Sequence, residues 1–187
     1  SLWDKSTRVA ALAKSIAGQI GCDLAVAERA ALLAKCDLVS EMVFEFDDLQ
    51  GTAGYYYALH DGEDAEVATA IKEQYQPAYA GDELPTSPCG NALALAERLD
   101  TLVGVFGINQ PPSGSKDPYA LRRAALGAIR IIKENRYADL DLNQLIKSAA
   151  TAYGDRLTNT QVEADVSDFI FDRYRALYQE EGVPTNT

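Results

Sequence analysis

The chain has 187 residues and a mass of 20.3 kDa, enough for one domain, with or without a small appendage, around a sizeable core. Hydrophobic residues make up 47% and charged residues 24%, as in ordinary globular proteins, and no apolar run approaches the roughly 18 residues of a membrane helix. The first residues, SLWDKSTR, lack the apolar stretch of a secretory signal peptide, so we expect a cytoplasmic protein without a membrane partner.

The first part of the chain is predicted to be helical. An apolar pattern that follows Ser6 and Thr7 and closes at Gly18–Gly21 predicts a first helix of about four turns. Asp23 opens a second helix, and its wide apolar face continues from Val26 to Phe46. We expect this second helix to be the central core helix.

The middle of the chain predicts three more helices. A short one is expected over Thr52–Tyr57 and a longer one over Glu63–Tyr75, followed by a proline-containing loop over Gly81–Pro88. The next helix is predicted over Asn91–Phe106. Residues 102–108 have the composition of a strand, but the helical period that begins at Ala92 favours a helix.

The last part of the chain begins with a connector. The sequence NQPPSGS at Asn109–Ser115 is typical of a flexible link. Helices are then predicted over Lys116–Arg136, over Asp141–Tyr153 and after Asn159. Since no segment predicts a strand, the expected fold class is all-α.

The segment Lys116–Arg136 concentrates positive charge. It holds six cations and two anions, a balance of +4, while the whole chain has a net charge of −11. Asp117 and Pro118 predict its start as N-cap and first helical residue. At about 100° per residue, apolar residues occupy one side of the helix. The other side carries Tyr119, Arg122, Arg123, Arg130 and Lys133.

This cationic face has two interpretations. It can be a solvated surface whose arginines pair with the surplus carboxylates of neighbouring helices. Alternatively, it is an RNA-binding stripe in which the cations contact phosphates and Tyr119 stacks on a base. Nothing in the sequence separates contact with RNA from contact with a protein subunit.

The cysteines do not predict a metal site. Cys22, Cys36 and Cys89 are an odd number at wide spacing, and His60 is the single histidine. A structural zinc site needs four ligands in close pairs, and disulfide scaffolds are short and cysteine-dense. We therefore expect reduced, mostly buried thiols and no tightly bound metal.

Four stretches in order along the chain closely resemble one family. They are MVFEF at Met42–Phe46, EQYQPAYAGDELP at Glu73–Pro85, ERLDTLVGVFGI at Glu97–Ile108 and SGSKDPYALRRAALGAIRII at Ser113–Ile132. Together they resemble the β subunit of the bacterial two-subunit glycyl-tRNA synthetase. The resemblance implies that the chain is an interior piece of a longer subunit.

The resemblance also implies a function for the parent complex, the ATP-dependent charging of tRNA-Gly with glycine. It places adenylation on the α subunit, so this piece is expected to be a non-catalytic scaffold that holds no cofactor. Its expected partners are the α subunit, other domains of the β subunit and tRNA-Gly. A module that only docks onto protein is an alternative.

A second resemblance is to the HD superfamily of metal-dependent phosphohydrolases, which are helical bundles. Here the metal-binding His-Asp pair reads Cys36-Asp37, and the later acidic element reads Ala96-Glu97-Arg98. That family needs two histidines, and His60 precedes Gly62 in a predicted turn instead of lying in a core helix. We therefore expect a degenerate HD-like site at Cys36, Asp37 and Glu97, with Asp37 and Glu97 close together and the hydrolase alternative disfavoured.

These elements predict an HD-domain-like helical bundle with additional C-terminal helices. Residues 1–108 form the expected HD-like core, and residues 109–115 form the connector. Residues 116–187 contain the cationic helix and the C-terminal helices, which we expect to pack on the core as one unit.

Overall fold

A computed structural model of the chain describes residues 2–34 and 62–180. Apart from one isolated bridge between Ser113 and Lys116, all regular structure in these residues is helical, which confirms the all-α fold class. The elements are α1 Leu2–Ile20, α2 Leu24–Leu33, α3 Ala65–Glu73, α4 Pro88–Gly107, α5 Leu121–Glu134, α6 Leu142–Ala152, a 3-10 turn Gly154–Arg156 and α7 Val162–Glu180. No helix in these two ranges is long and apolar enough to cross a membrane.

Helix α4 lies at the centre of the described structure. It packs against all six other helices, and its side chains are buried on nearly every side, including Leu93, Leu95 and Leu99 at 0% exposure. A helix that is apolar all round belongs in a core. The expected continuation of α2 to Phe46 and the expected short helix Thr52–Tyr57 lie outside the described residues, as do Cys36 and Asp37 of the HD resemblance.

The predicted starts of α1 and α4 are wrong. Helix α1 begins at Leu2, and Ser6 is a buried residue inside it. Thr7 does not cap the helix either, because its hydroxyl donates to the carbonyl of Trp3 at 2.9 Å, as hydroxyls inside helices do. Helix α4 begins earlier than predicted, at Pro88, because Ser87 caps it by accepting from Gly90 N at 3.0 Å.

Other predicted boundaries are confirmed. Asp23 caps α2 by accepting from the N–H groups of Ala25 and Val26, and Asp141 caps α6 by accepting from Gln144. Residues 102–107 are helical, as the 3.6-residue period predicted. Helices α5, α6 and α7 contribute buried residues to the same hydrophobic core as α1 and α4.

The expected oxidation state of two cysteines is wrong. Cys22 and Cys89 form a disulfide between the α1–α2 turn and the start of α4, with their Cα atoms 5.7 Å apart. The sequence did not indicate this pairing, because the two residues are separated by 67 positions and meet only when α1 and α2 pack against α4. Cys36 lies outside the described residues.

Candidate nucleic-acid interface

The cationic helix begins later than the sequence predicted. Pro118 is not its first residue; α5 starts at Leu121, after Ala120 in the left-handed conformation at φ 54°. Asp117 still provides the cap from a distance, since its carboxylate accepts from Leu121 N at 2.8 Å and Arg122 N at 2.9 Å. A carboxylate is favourable there because the N-terminus of a helix carries partial positive charge.

An open groove of about 430 Å³ lies between α5, α7 and the loop that follows α3. Its walls combine arginines from two helices with apolar side chains and one exposed tyrosine. The lining residues are Tyr79, Ala80, Arg122, Arg123, Leu126, Arg173, Ala176, Leu177 and Glu180. Three guanidinium groups against a single carboxylate make this a local excess of positive charge on an acidic chain.

Arg122 and Arg123 each use one donor to fix the groove. Arg122 donates to the carbonyl of Gly114 at 2.7 Å, and Arg123 donates to the carbonyl of Ala78 at 3.2 Å. Neither forms a salt bridge within the described part of the chain. A guanidinium has five N–H donors, so each side chain is positioned by backbone and keeps charge and donors for an anion.

Arg98 holds the loop that carries Tyr79 against the core. Its guanidinium donates to the carbonyls of Gln74 at 3.1 Å and Pro77 at 2.9 Å, and also to that of Tyr75. Burial lowers the pKa of Arg98 to about 10, and the neighbouring charge of Glu97 partly opposes this effect. Since a pKa of about 10 is well above neutral pH, Arg98 stays protonated. The loop wall of the groove is therefore a fixed structure.

Arg173 is a groove residue that the sequence analysis missed. It lies on α7 three positions after the buried Ile170 and four before Leu177, on the apolar stripe itself. Its Nε is shielded from solvent and has no hydrogen-bond partner among the described residues. The available signal was an arginine at helical spacing from the apolar residues Ile170 and Leu177.

The remaining residues of the predicted RNA-binding set lie elsewhere. Tyr119 precedes α5, is 51% exposed and donates to Gln110 Oε1 at 3.2 Å. Arg130 forms an ion pair with Glu134 at 2.8 Å, and its side chain is only 17% exposed. Lys133 is exposed near the end of α5. The groove thus brings together Arg122 and Arg123 but leaves Tyr119, Arg130 and Lys133 outside its walls.

Of the predicted degenerate HD-like site, only Glu97 lies in the described residues. Its carboxylate is 3.4 Å from the ammonium of Lys5, so α1 supplies a cation to this position. Cys36, Asp37 and His60 lie outside the described ranges, so the expected proximity of Asp37 and Glu97 stays a prediction. Within residues 2–34 and 62–180, no group of three or more His, Cys, Asp or Glu side chains is placed to hold a metal ion.

Asp100, one helical turn beyond Glu97, forms a buried charge network that the sequence analysis also missed. It is 1% exposed and accepts from Lys5 Nζ at 3.0 Å and Arg8 Nε at 2.9 Å. Tyr153 donates to its Oδ2 at 3.2 Å and to its carbonyl at 2.9 Å, while the Arg8 guanidinium lies 4.0 Å from the Tyr153 ring centre.

This network shifts the pKa values of its members. Burial alone would lower the pKa of Lys5, but the carboxylates of Glu97 and Asp100 raise it above its ordinary value. Burial raises the pKa of Tyr153, and the charge of Asp100 adds to the effect. No buried side-chain nitrogen or oxygen atom of Lys5, Arg8, Asp100 or Tyr153 lacks a hydrogen-bond partner, which is the arrangement of a structural network.

The structure therefore defines an all-helical domain with a saturated charge network in its interior and a cationic groove on its surface. The sequence profile described as "Glycyl-tRNA synthetase beta subunit" matches residues 1–187, and the chain belongs to that family.

Individual relatives agree with this assignment. The chain is 58% identical to the glycine–tRNA ligase beta subunit of Haemophilus influenzae over 183 residues, 98% of this chain and 26% of the relative. It is 57% identical over 187 residues to the corresponding subunit of Salmonella schwarzengrund, 100% of this chain and 27% of the relative. The chain thus spans about a quarter of the length of the curated relatives it matches.

Proposed function

We propose that this chain is a non-catalytic helical domain of a glycine–tRNA ligase beta subunit and that its α5–α7 groove contacts the phosphate backbone of tRNA-Gly. In this proposal the parent enzyme charges tRNA-Gly with glycine in the cytoplasm, with ATP consumed on the alpha subunit. The family assignment supports the parent activity, because the relatives carry that name.

One observation carries the RNA contact. Arg122, Arg123 and Arg173 line a single groove in a chain of net charge −11. Arginine is well suited to phosphate because its planar donors match two oxygens at once. Tyr79, 62% exposed at the rim, and Tyr119, 51% exposed beyond it, provide ring faces for an unpaired base.

The predicted RNA-binding cations differ in burial and in ion pairing, and these differences support some phosphate contacts over others. Arg130 is paired with Glu134 and largely covered, so a phosphate would have to compete with that carboxylate. Arg122, Arg123 and Arg173 face no such competitor within the described residues except Glu180 at one end of the groove. We therefore place the main contact at the groove, with Tyr119, Arg130 and Lys133 in secondary positions.

A non-catalytic role is supported by how the acidic side chains of α4 are used. Glu97 and Asp100 face Lys5, and Asp100 also faces Arg8, so both carboxylates hold protein cations instead of opening onto a pocket. Hydrolysis by an HD-type mechanism needs a metal that polarises a phosphoryl oxygen. Ion pairs with α1 leave these two acids poorly placed to supply its ligands.

The test uses the complete two-subunit enzyme. Changing Arg122 and Arg173 to Glu should raise the KM for tRNA-Gly by about tenfold or more, because charge-assisted hydrogen bonds contribute about 1.5–3 kcal/mol each. Glycine-dependent pyrophosphate exchange without tRNA should be unchanged.

A matched control is Arg175→Glu, also on α7, where the arginine is 66% exposed and pairs with Asp172. This change alters the charge near the groove without altering its walls. A double variant that charges tRNA-Gly with the KM of the unmodified enzyme would overturn the proposal.

A second candidate is a surface that packs against other domains of the beta subunit. Helix α7 exposes an aromatic row away from the core, with Phe171 52% exposed, Tyr174 38% exposed and the Tyr174 and Tyr178 rings 6.2 Å apart. The chain spans about a quarter of its relatives, so the rest of a full-length subunit is available to cover this row. Phe171→Ser should then lower the melting temperature of the full-length beta subunit without changing the KM for tRNA-Gly.

A further inference from the structure

The disulfide joins two parts of the core that carry none of the groove residues. Cys22 lies in the short turn between α1 and α2, and Cys89 is the second residue of α4. Their Cα atoms are 5.7 Å apart, within the usual range for a bonded pair. The bond closes a loop across 67 positions of sequence.

The position of each cysteine is fixed by hydrogen bonds that do not involve sulfur. Cys22 N donates to the carbonyl of Ala17 at 3.0 Å, and Asp23 caps α2 from the next position. On the other side, Ser87 caps α4, and the buried carboxylate of Glu73 accepts from Ser87 N at 3.2 Å. The two sulfur atoms are therefore expected to stay adjacent when the bond between them is opened.

The two cysteines differ in access and in local electrostatics. Cys22 is partly exposed at the surface, whereas Cys89 is only 6% exposed. Cys89 lies in the first turn of a 20-residue helix, where unpaired N–H groups and the helix dipole stabilise a thiolate. Because Cys22 is the more exposed of the two, we expect an incoming thiolate to attack Cys22 Sγ, with Cys89 as the leaving group.

We propose that Cys22 and Cys89 form a reversible redox-modification site that exchanges with low-molecular-weight thiols such as glutathione. For reduction, one glutathione thiolate attacks Cys22 Sγ, the disulfide bond breaks, and Cys89 leaves as a thiolate. A second glutathione thiolate attacks the sulfur of the glutathione bound to Cys22. This releases Cys22 as a thiolate and glutathione disulfide as product, and both cysteine thiolates take up protons according to pH. Oxidation runs the same steps in reverse, with glutathione disulfide as the oxidant.

The redox state should change stability through the unfolded chain. A cross-link over a loop of this length restricts the unfolded ensemble, while the folded packing of α1, α2 and α4 is held by the contacts described above. The oxidised protein is therefore expected to melt about 5–15 °C higher than the reduced protein.

The test uses the 187-residue chain with the change Cys36→Ser, in which Cys22 and Cys89 are the remaining cysteines. The protein is equilibrated at several ratios of glutathione to glutathione disulfide, quenched in acid and alkylated, and both peptides are quantified by mass spectrometry. We expect the bonded fraction to rise and fall reversibly with the ratio, and the melting temperature to follow it. Cys22→Ser is the control and should show no melting shift on reduction.

Two results would overturn the proposal. In one, both cysteines remain free thiols at every glutathione ratio, which would mean that the pair does not oxidise. In the other, the bond forms but glutathione fails to open it in the native protein, which would make it a permanent structural link.

Discussion

Two clusters of charge in this molecule are built in opposite ways. Asp100 is 1% exposed, and its carboxylate faces Lys5, Arg8 and Tyr153, each at hydrogen-bonding distance. In the groove between α5 and α7, three arginines share the walls with one carboxylate, that of Glu180. The charged groups of the first cluster pair with one another, whereas the arginines of the second keep N–H donors that no described residue uses.

This difference separates charged groups that stabilise the fold from charged groups that are available to bind a ligand. A buried ion whose partners are all supplied by the chain holds elements together, and here it ties α1 and α6 to α4. A surface cation that backbone carbonyls position, as Arg122 and Arg123 are positioned, keeps most of its charge for something outside. The clusters should therefore respond to different measurements, stability for the first and binding for the second.

The largest effect should come from removing the centre of the closed cluster. Asp100→Asn leaves Lys5 and Arg8 without a buried counter-charge, so we expect the free energy of unfolding to fall by about 3–5 kcal/mol in urea titrations. The control Asp172→Asn breaks an exposed pair, with side chains 60% and 66% exposed, and should cost under about 1 kcal/mol. Equal costs for the two variants would show that the Asp100 network is not structural.

A smaller loss should follow from crowding the same cluster. A Cβ at Gly104 would collide with the hydroxyl of Tyr153 and lie 2.9 Å from its Cζ. Gly104→Ala should therefore push Tyr153 away from Asp100 and destabilise the fold by about 1–3 kcal/mol.

The matched control for that change is Gly18→Ala on α1. There the nearest atom to a new Cβ is Leu24 Cδ2 at an ordinary 3.5 Å. Alanine is a better helix former than glycine, so this variant should be stabilised by up to about 1 kcal/mol. Thermal or urea unfolding of both variants checks the pair, and a stabilised Gly104→Ala would contradict the packing around Tyr153.

The smallest of the stability effects is a pH dependence. The pKa values of Lys5 and Tyr153 are raised in the folded protein above the ordinary values of 10.5 for Lys and 10.0 for Tyr. Above those ordinary values, the unfolded chain releases the two protons while the folded protein still holds them. The stabilisation is complete below about pH 10 and is lost as pH rises through the folded pKa values.

Comparing the chain with Asp100→Asn isolates the part of this pH dependence that comes from Asp100, since Arg98 is unchanged and the effect of its lowered pKa cancels. Between pH 8 and pH 11, the unfolding midpoint in urea should fall more steeply for the unmodified chain than for the variant. Parallel curves would mean that Asp100 does not set these pKa values.

What the sequence predicted well is local in the chain. The apolar side of α5 and the helical state of residues 102–107 follow from a 3.6-residue period, and the caps at Asp23 and Asp141 follow from residue type. The start of α5 was missed because Ala120 adopts a left-handed conformation, at φ 54°, that alanine rarely takes.

What the sequence could not predict depends on contacts distant in the chain. Lys5 and Asp100 are 95 positions apart, and Cys22 and Cys89 are 67 apart, so neither pair has a local signature. Half of the groove was visible as a cationic helix face, but Arg173 comes from another helix. In the sequence, Arg173 differed from other cations only by its helical spacing from Ile170 and Leu177. That spacing indicates a groove residue only when the packing of α7 beside α5 is known.

The salt dependence of tRNA-Gly binding by the complete two-subunit enzyme tests the central claim, that the groove cations contact phosphate. Each phosphate contact releases condensed counterions, so the slope of log K against log salt changes by about 0.7–0.9 per contact. We predict that Arg123→Gln with Arg173→Gln lowers the magnitude of the slope by about 1.4–1.8. Arg130→Gln removes a secondary cation that is already paired with Glu134, so it should lower the slope by less than about 0.7. Identical slopes for the double variant and the unmodified enzyme, or an equal loss in Arg130→Gln, would contradict the account.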